Sequence, residues 1–299
     1  MNGVVIVDKP GGMTSHDVVD RVRRVLKQRA VGHLGTLDPS ATGVLPIVTG
    51  NLTRLAQFYL HCEKEYEGEI RLGFATDTYD ADGEATTAAQ DAPDPARVKA
   101  LADEFRGVIE QLPPPFSAKK IAGIPAYKLA RKKKDVPLIA ARVEIHNLEI
   151  LSVTGDVATF RARVSSGTYM RSIAHDMGMK LGCGAHLGSL RRTRVAEFEI
   201  SASHPLDELE QAERQGSVED LFVHPRKLLP GFPCVTASDE AAALIRSGRA
   251  VNLPELSRAP RIKVLHGQSE LIAIATRVAG TLFHPGIVFA SAREAVIRR

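Results

Sequence analysis

Between Thr14 and Leu26 the apolar residues recur with a helical period. Val18, Val19, Val22, Val25 and Leu26 return to one face, leaving Arg21, Arg23, Arg24 and Lys27 mostly on the other. Thr14 or Ser15 supplies an N-cap and Asp17 an acid for the first turn, so the pattern predicts a helix ending before Gly32. The period falls to two from Glu65 to Leu72. There Tyr66, Gly68, Ile70 and Leu72 share one face, with Glu65, Glu67, Glu69 and Arg71 on the other. This is a half-buried strand that turns Tyr66 inward. Ala158, Phe160, Ala162 and Val164 alternate in the same way with Thr159, Arg161 and Arg163. That strand runs into Ser165-Ser166-Gly167-Thr168, where Thr168 is the predicted N-cap of a helix holding Tyr169, Ile173, Met177 and Leu181. Arg171 then falls in the first helical turn, where the helix dipole disfavours a cation. A residue placed against its local preference is a candidate for function; a surface salt bridge is the alternative.

Pro95–Gly107 reads as an amphipathic helix, Leu112–Ser117 as a stiff extended loop, and Tyr127–Lys134 as a basic helix. Beyond Leu221 the texture changes. A capped helix over Ser238–Ser247, stopped by Gly248, precedes strand-like runs at Arg261–Leu265, Leu271–Arg277 and Ile287–Ala290. This shift predicts a boundary between residues 1–222 and 230–299.

Length agrees with two domains: 299 residues, 44% hydrophobic and 25% charged, are ordinary globular values. No apolar run approaches a membrane span, and Val4-Val5-Ile6-Val7 is too short for a signal peptide. Cys62, Cys183 and Cys234 are isolated, which predicts a reducing cytoplasm rather than disulfides. Ten scattered histidines lack ligand spacing, so no metal site is expected. Thr78, Asp80, Asp82 and Gly83 mimic an EF-hand start, but the closing glutamate position is Ala89, which excludes calcium. Charge is uneven. From Phe222 onward eleven Lys/Arg face five Asp/Glu, and residues 119–134 hold Lys119, Lys120, Lys128, Arg131 and Lys132–Lys134 without an acid. Such clusters fit a phosphate-backbone binder as well as a solvated helix face.

One segment carries the chemistry. Gly32-His33-Leu34-Gly35-Thr36-Leu37-Asp38-Pro39-Ser40-Ala41-Thr42-Gly43-Val44-Leu45-Pro46 holds three glycines, two prolines and one carboxylate. That composition excludes a long helix and predicts a stiff loop presenting Asp38. By composition alone, Asp-Pro-Ser as a plain turn start is the favoured reading over a functional carboxylate.

The same segment resembles the signature of the TruB family of tRNA pseudouridine synthases at every fixed position. Asp8-Lys9-Pro10-Gly11-Gly12-Met13-Thr14-Ser15, Thr76–Gly83, Ser166–Ser172 and Leu181–Leu187 are similar to further strings of that family, in the same order. The resemblance implies an α+β fold. Its catalytic domain has a mixed, largely antiparallel central sheet flanked by helices, and a small β-rich PUA-like RNA-binding domain follows. It also implies isomerisation of uridine to pseudouridine in the tRNA T arm, at the position conventionally numbered 55. Asp38 takes the place of the catalytic carboxylate, Arg171 of the cation that keeps it ionised, and Tyr66 of the ring that stacks on a flipped base. His33, Lys9, Asp80, Tyr169 and the Leu190 backbone fall on RNA- or base-holding positions. No cofactor or metal is required, and the chain has neither a Walker loop nor a Rossmann fingerprint. The expected state is a cytoplasmic monomer. A guide-dependent rRNA enzyme and a tRNA-folding chaperone remain the alternatives.

Overall fold

The computed structural model describes residues 1–117, the backbone of 120–121 and 124–125, and residues 138–289. In chain order, strand β1 (Gly3–Lys9) is followed by helix α1 (Ser15–Val25) and strands β2 (Val31–His33), β3 (Thr42–Thr49) and β4 (Lys64–Leu72). Helix α2 (Pro95–Glu104), strands β5 (Gly107–Gln111), β6 (Ala141–Thr154) and β7 (Val157–Val164), helix α3 (Met170–Leu181) and strand β8 (Ala185–Val195) come next. Helix α4 (Leu206–Gln215), strand β9 (Cys234–Ala237), helix α5 (Asp239–Arg246) and strands β10 (Val251–Asn252), β11 (Arg261–His266), β12 (Glu270–Ala279) and β13 (Leu282–Val288) complete the order. The basic residues between Lys119 and Lys134, and the helix expected at Tyr127–Lys134, lie outside the side chains described.

The chain forms two compact units. One comprises Ser40–Gly43 and His61–Ala196; the other Met1–Pro39, Val44–Leu60 and Glu197–Arg299. The first is built on a sheet ordered β8-β4-β7-β6-β5, with every neighbouring pair antiparallel. At its β8 edge Thr42 and Gly43 pair parallel with Arg191 and Arg192, making the sheet mixed and largely antiparallel. Helix α2 packs on β6 and α3 on β8. The alternation in β4 and β7 works as patterned: Tyr66, Ile70, Leu72, Ala158, Phe160 and Ala162 are buried. Gly68 belongs to this face because a side chain there would overlap the Ser189 carbonyl and the Phe160 ring. The opposite face carries paired charges, Glu67 with Arg161 at 2.8 Å and Glu65 with Arg194 at 3.1 Å. Paired charges give that face no uniform positive field.

Helix α3 departs from expectation at its start. Its N-cap is Tyr169, not Thr168, and no side-chain cap bond closes it. Gln111 is the reason. Its Oε1 accepts from the Tyr169 amide at 2.8 Å and its Nε2 donates to the Tyr169 carbonyl at 3.0 Å, fixing that residue extended.

In the other unit, Thr14 caps α1 in a capping box with Asp17. Val18, Val19 and Val22 of α1 join Val5, Val7, Val31, Leu45, Ile47, Leu206, Leu209, Ala212 and Val218 in one core. The arginines of α1 serve the fold. Arg21 bonds Glu210 and Asp207 of α4, and Arg23 bonds Asp20 and the Val31 carbonyl. The Gly32–Pro46 stretch, expected as irregular, enters strands at both ends: Gly32 and His33 lie in β2, and Thr42–Pro46 in β3. The run of Val44, Leu45, Ile47 and Val48 is buried, and Pro46, which lacks a donor, uses its carbonyl to accept from Leu34 at 2.9 Å.

The same unit carries a five-stranded sheet, β9-β11-β12-β13-β10, parallel only between β9 and β11. With α5 it encloses a separate core of Val235, Ile245, Ile262, Val264, Ile272 and Phe283. Strand β13 starts earlier than the sequence pattern suggested. Pro285 is tolerated because it sits opposite Ala275, where the register slips beside Ile274. Part of the C-terminal basic excess is structural. Lys263 is buried and donates to the Arg226 and Leu228 carbonyls, and Arg277 bonds the Ala259, Ser257 and Gly280 carbonyls.

Candidate active site

Asp38 sits half-buried on a loop whose backbone is anchored on both sides of it. Ser15, the first residue of α1 and itself buried, accepts from the Leu37 amide at 2.8 Å and lies 3.1 Å from the Leu37 carbonyl. On the other side the Pro39 carbonyl accepts from the Gly12 amide at 2.9 Å and from Lys9 Nζ at 3.1 Å. Lys9 is fully buried at the end of β1 and also donates to the Pro10 carbonyl at 2.8 Å. The glycine-rich turn after β1 and the cap of α1 thus hold the peptide bonds next to the carboxylate. His33, for which an RNA contact and a loop hydrogen bond were both open, accepts from the Gly35 amide through Nδ1 at 3.3 Å.

In the other unit Tyr66 and Leu190 occupy neighbouring strands. Tyr66 lies opposite Arg192, and Leu190 opposite Gly68. Arg192 is wholly buried and hydrogen-bonds Tyr66; burial pulls its pKa down, and the tyrosine works against that fall. Burial likewise brings the Lys64 ammonium down to about 8, with the Arg192 charge adding to the effect. Arg192 thus sets its charge at the Tyr66 hydroxyl, with the Lys64 ammonium within its field. Leu190 lines a groove of about 540 Å3 with Ser40, Thr42, Gly68, Ser189 and Arg191.

Arg171 and Asp80, distant in sequence, meet. The Arg171 side chain is only 6% exposed and the Asp80 side chain 14%, and Nη1 lies 3.3 Å from Oδ2. Nη1 also donates to the Thr78 carbonyl at 3.2 Å and Nη2 to the Phe116 carbonyl at 2.9 Å. Asp80 is shaped by its own turn: its Oδ1 accepts from Thr78 Oγ1 at 2.5 Å and from the Asp82 amide at 3.2 Å. A carboxylate committed to a guanidinium also suits the exclusion of calcium at Thr78–Gly83. Tyr169 stands at the start of the helix that carries Arg171.

The structure thus groups Lys9, His33 and Asp38 in one unit, and Arg171, Asp80 and Tyr169, with Tyr66 and Leu190, in the other. Three supporting residues escaped the sequence pattern. Arg192 follows Leu190 by two positions, so a period-two reading of β8 finds it on the same face. Lys64 immediately precedes the alternating run. Gln111 gives no local signal, because its partner is 58 residues away.

Comparison with known proteins follows the same residues. Residues 23–170 match the N-terminal domain model of the TruB family of pseudouridylate synthases, and residues 171–229 match the C-terminal domain model of tRNA pseudouridylate synthase B. The chain is 45% identical over 292 residues to tRNA pseudouridine synthase B of Solibacter usitatus, covering 96% of this chain and all of that protein. It is 39% identical to the protein of the same name from Geobacter sulfurreducens, over 98% of this chain and 93% of that one. Among solved structures, a chain of an H/ACA RNP bound to a substrate RNA containing 2′-deoxyuridine has a TM-score of 0.71 at 25% identity, covering 97% of this chain and 85% of that one. A chain of a Cbf5-Nop10-Gar1 complex has a TM-score of 0.71 at 26% identity, with 97% and 86% covered.

Proposed function

Because the chain belongs to the TruB family of pseudouridine synthases, we propose that it converts uridine to pseudouridine in the T arm of tRNA, at position 55. The reaction breaks the bond from C1′ to N1 of the base and forms one from C1′ to C5; the C5 proton leaves and N1 gains one. A carboxylate held beside sugar and base can act as nucleophile or base in this sequence. The observation that carries the reading is the double anchoring of Leu37 and Pro39, which fixes the peptide bonds flanking Asp38 before substrate arrives. Arg171 supplies the permanent positive charge that keeps a partly desolvated carboxylate ionised, and Asp80 orients it. Tyr66 stacks on the extruded uracil, with Tyr169 and the Leu190 backbone holding its edges. His33 contacts the RNA, and Lys9 supports the loop. Residues 1–222 form the catalytic domain and 230–299 a PUA-like RNA-binding domain of a cytoplasmic, monomeric enzyme. The higher identity to the tRNA enzymes than to the H/ACA chains favours tRNA over guided rRNA.

The test is tritium release from an unmodified tRNA transcript labelled at uridine C5. The wild type should release label, a transcript with cytidine in place of uridine 55 should release none, and Asp38→Asn should be inactive while still binding tRNA. Tight binding without release by the wild type would leave only a chaperone-like role. Release that persists in Asp38→Asn would remove that residue from the chemistry.

A further inference from the structure

We propose that His175 is a positioning residue for this reaction, fixing the Asp80–Arg171 pair through a ring stack on Tyr79. The two rings are parallel within 11°, with centroids 3.7 Å apart. His175 follows Arg171 by four positions on α3, so both side chains leave the same helical face. They reach one loop. Arg171 bonds the Thr78 carbonyl and the Asp80 carboxylate, the residues on either side of Tyr79, while His175 covers Tyr79 itself.

The loop needs such a hold. Tyr79 has φ +66, a left-handed conformation that is costly for a side chain of this size. Its carbonyl accepts from the Leu187 amide at 3.0 Å, tying the backbone to β8. The ring stack opposes relaxation of that strain, and any such relaxation would turn the next residue, Asp80, away from Arg171. Hydrogen bonding does not hold the imidazole through Nδ1, which is shielded from solvent and has no partner among the described residues. What the ring contributes is a flat face. Burial lowers the His175 pKa and raises that of Tyr79, with the neighbouring Asp176 adding to the second shift, so both rings are held uncharged near neutral pH.

The inference rests on the reading that Asp80 and Arg171 serve the reaction. It is tested by single-turnover tritium release, with KM for tRNA and circular dichroism recorded alongside. His175→Leu should lower the rate about two- to tenfold, the range a ring pair of this kind supports, with KM unchanged. His175→Phe, which restores a flat ring, should recover most of the wild-type rate. Tyr79→Asn keeps a residue that tolerates the left-handed backbone but removes the ring, and should match His175→Leu. Asp80→Asn/His175→Leu should be no slower than Asp80→Asn, since the histidine acts through that carboxylate. A wild-type rate in His175→Leu, an equal loss in His175→Phe, or a further loss in the double variant would overturn the inference. A wild-type rate in Asp80→Asn would instead overturn the role of the pair, and this inference with it.

Discussion

Replacing Lys9 by methionine removes one charge and the hydrogen bonds to two proline carbonyls while keeping nearly the same length of side chain. The bonds run at 2.8 and 3.1 Å to the Pro10 and Pro39 carbonyls, from an ammonium with no solvent exposure. Hydrogen bonds to charged groups contribute roughly 1.5–3 kcal/mol each. Burying the ammonium opposes that gain by several kcal/mol, a cost methionine does not carry. The Pro39 carbonyl keeps the Gly12 amide as a partner; the Pro10 carbonyl loses its lysine donor. The net loss of stability should therefore be modest, about 1–3 kcal/mol, the lost charge-assisted bonds less the relieved burial of the ammonium. Catalysis should suffer more. One of the three anchors on the aspartate loop disappears, and a displacement of about 1 Å at a reacting group costs on the order of a hundredfold in rate. Thermal denaturation followed by calorimetry gives the first quantity, and single-turnover tritium release well below the transition gives the second. A stable Lys9→Met variant with wild-type turnover would refute the claim that this lysine fixes Asp38. Restoration of turnover by binding energy alone, with KM raised and kcat intact, would refute it equally.

Two further outcomes follow from the geometry. Gly43→Ala should fail to accumulate as folded protein, because φ is +100 and the added carbon would overlap the Arg192 backbone across the parallel pairing; soluble protein with native circular dichroism would contradict this. His266 has its pKa raised above the ordinary 6.5 chiefly by hydrogen bonds to Asp239 and Glu270, with Arg246 opposing. Its contribution to stability is accordingly full below that ordinary value and is lost as pH rises through the folded-state pKa. The gap in melting temperature between wild type and His266→Gln should be largest below pH 6.5, the ordinary value, and shrink as pH rises through the raised pKa; a gap independent of pH would exclude the linkage.

Much of this was legible in the sequence where one short-range rule acts alone. The helix after Thr14 and the strands at Glu65–Leu72 and Ala158–Val164 announce themselves through period and capping, and the structure reproduces them. The misplaced helix cap at Thr168 shows the limit: a serviceable local cap lost to Gln111, whose amide side chain satisfies both polar groups of the Tyr169 backbone from another strand. The aspartate segment shows it again. Its glycines and prolines read as punctuation, yet buried Val44, Leu45, Ile47 and Val48 draw Pro46 into a strand. Arg171 was suspect because a cation at a helix start is locally unfavourable. The compensation is Asp80, 91 positions earlier, which no local pattern exposes. The arginines of α1 and the basic tail carried the opposite lesson, since Arg21, Arg23, Lys263 and Arg277 are committed to carbonyls and carboxylates of their own chain.

The interleaving of the two compact units has a consequence for the ribosome. Residues 61–196 are contiguous and emerge whole, so most of the unit bearing Tyr66 and Arg171 can close while the chain is still being made. The unit bearing Asp38 cannot. Its first strand stays half-paired until His204 meets Val7 and Phe222 meets Val5, and the core over α1 stays incomplete until Leu206, Leu209 and Val218 arrive. At roughly 5–20 residues per second, the N-terminal segment waits many seconds with Val18, Val19 and Val22 only partly packed. The nascent protein therefore carries a closed half and a half-built one until translation is nearly over, and the unit bearing Asp38 is completed only late in synthesis.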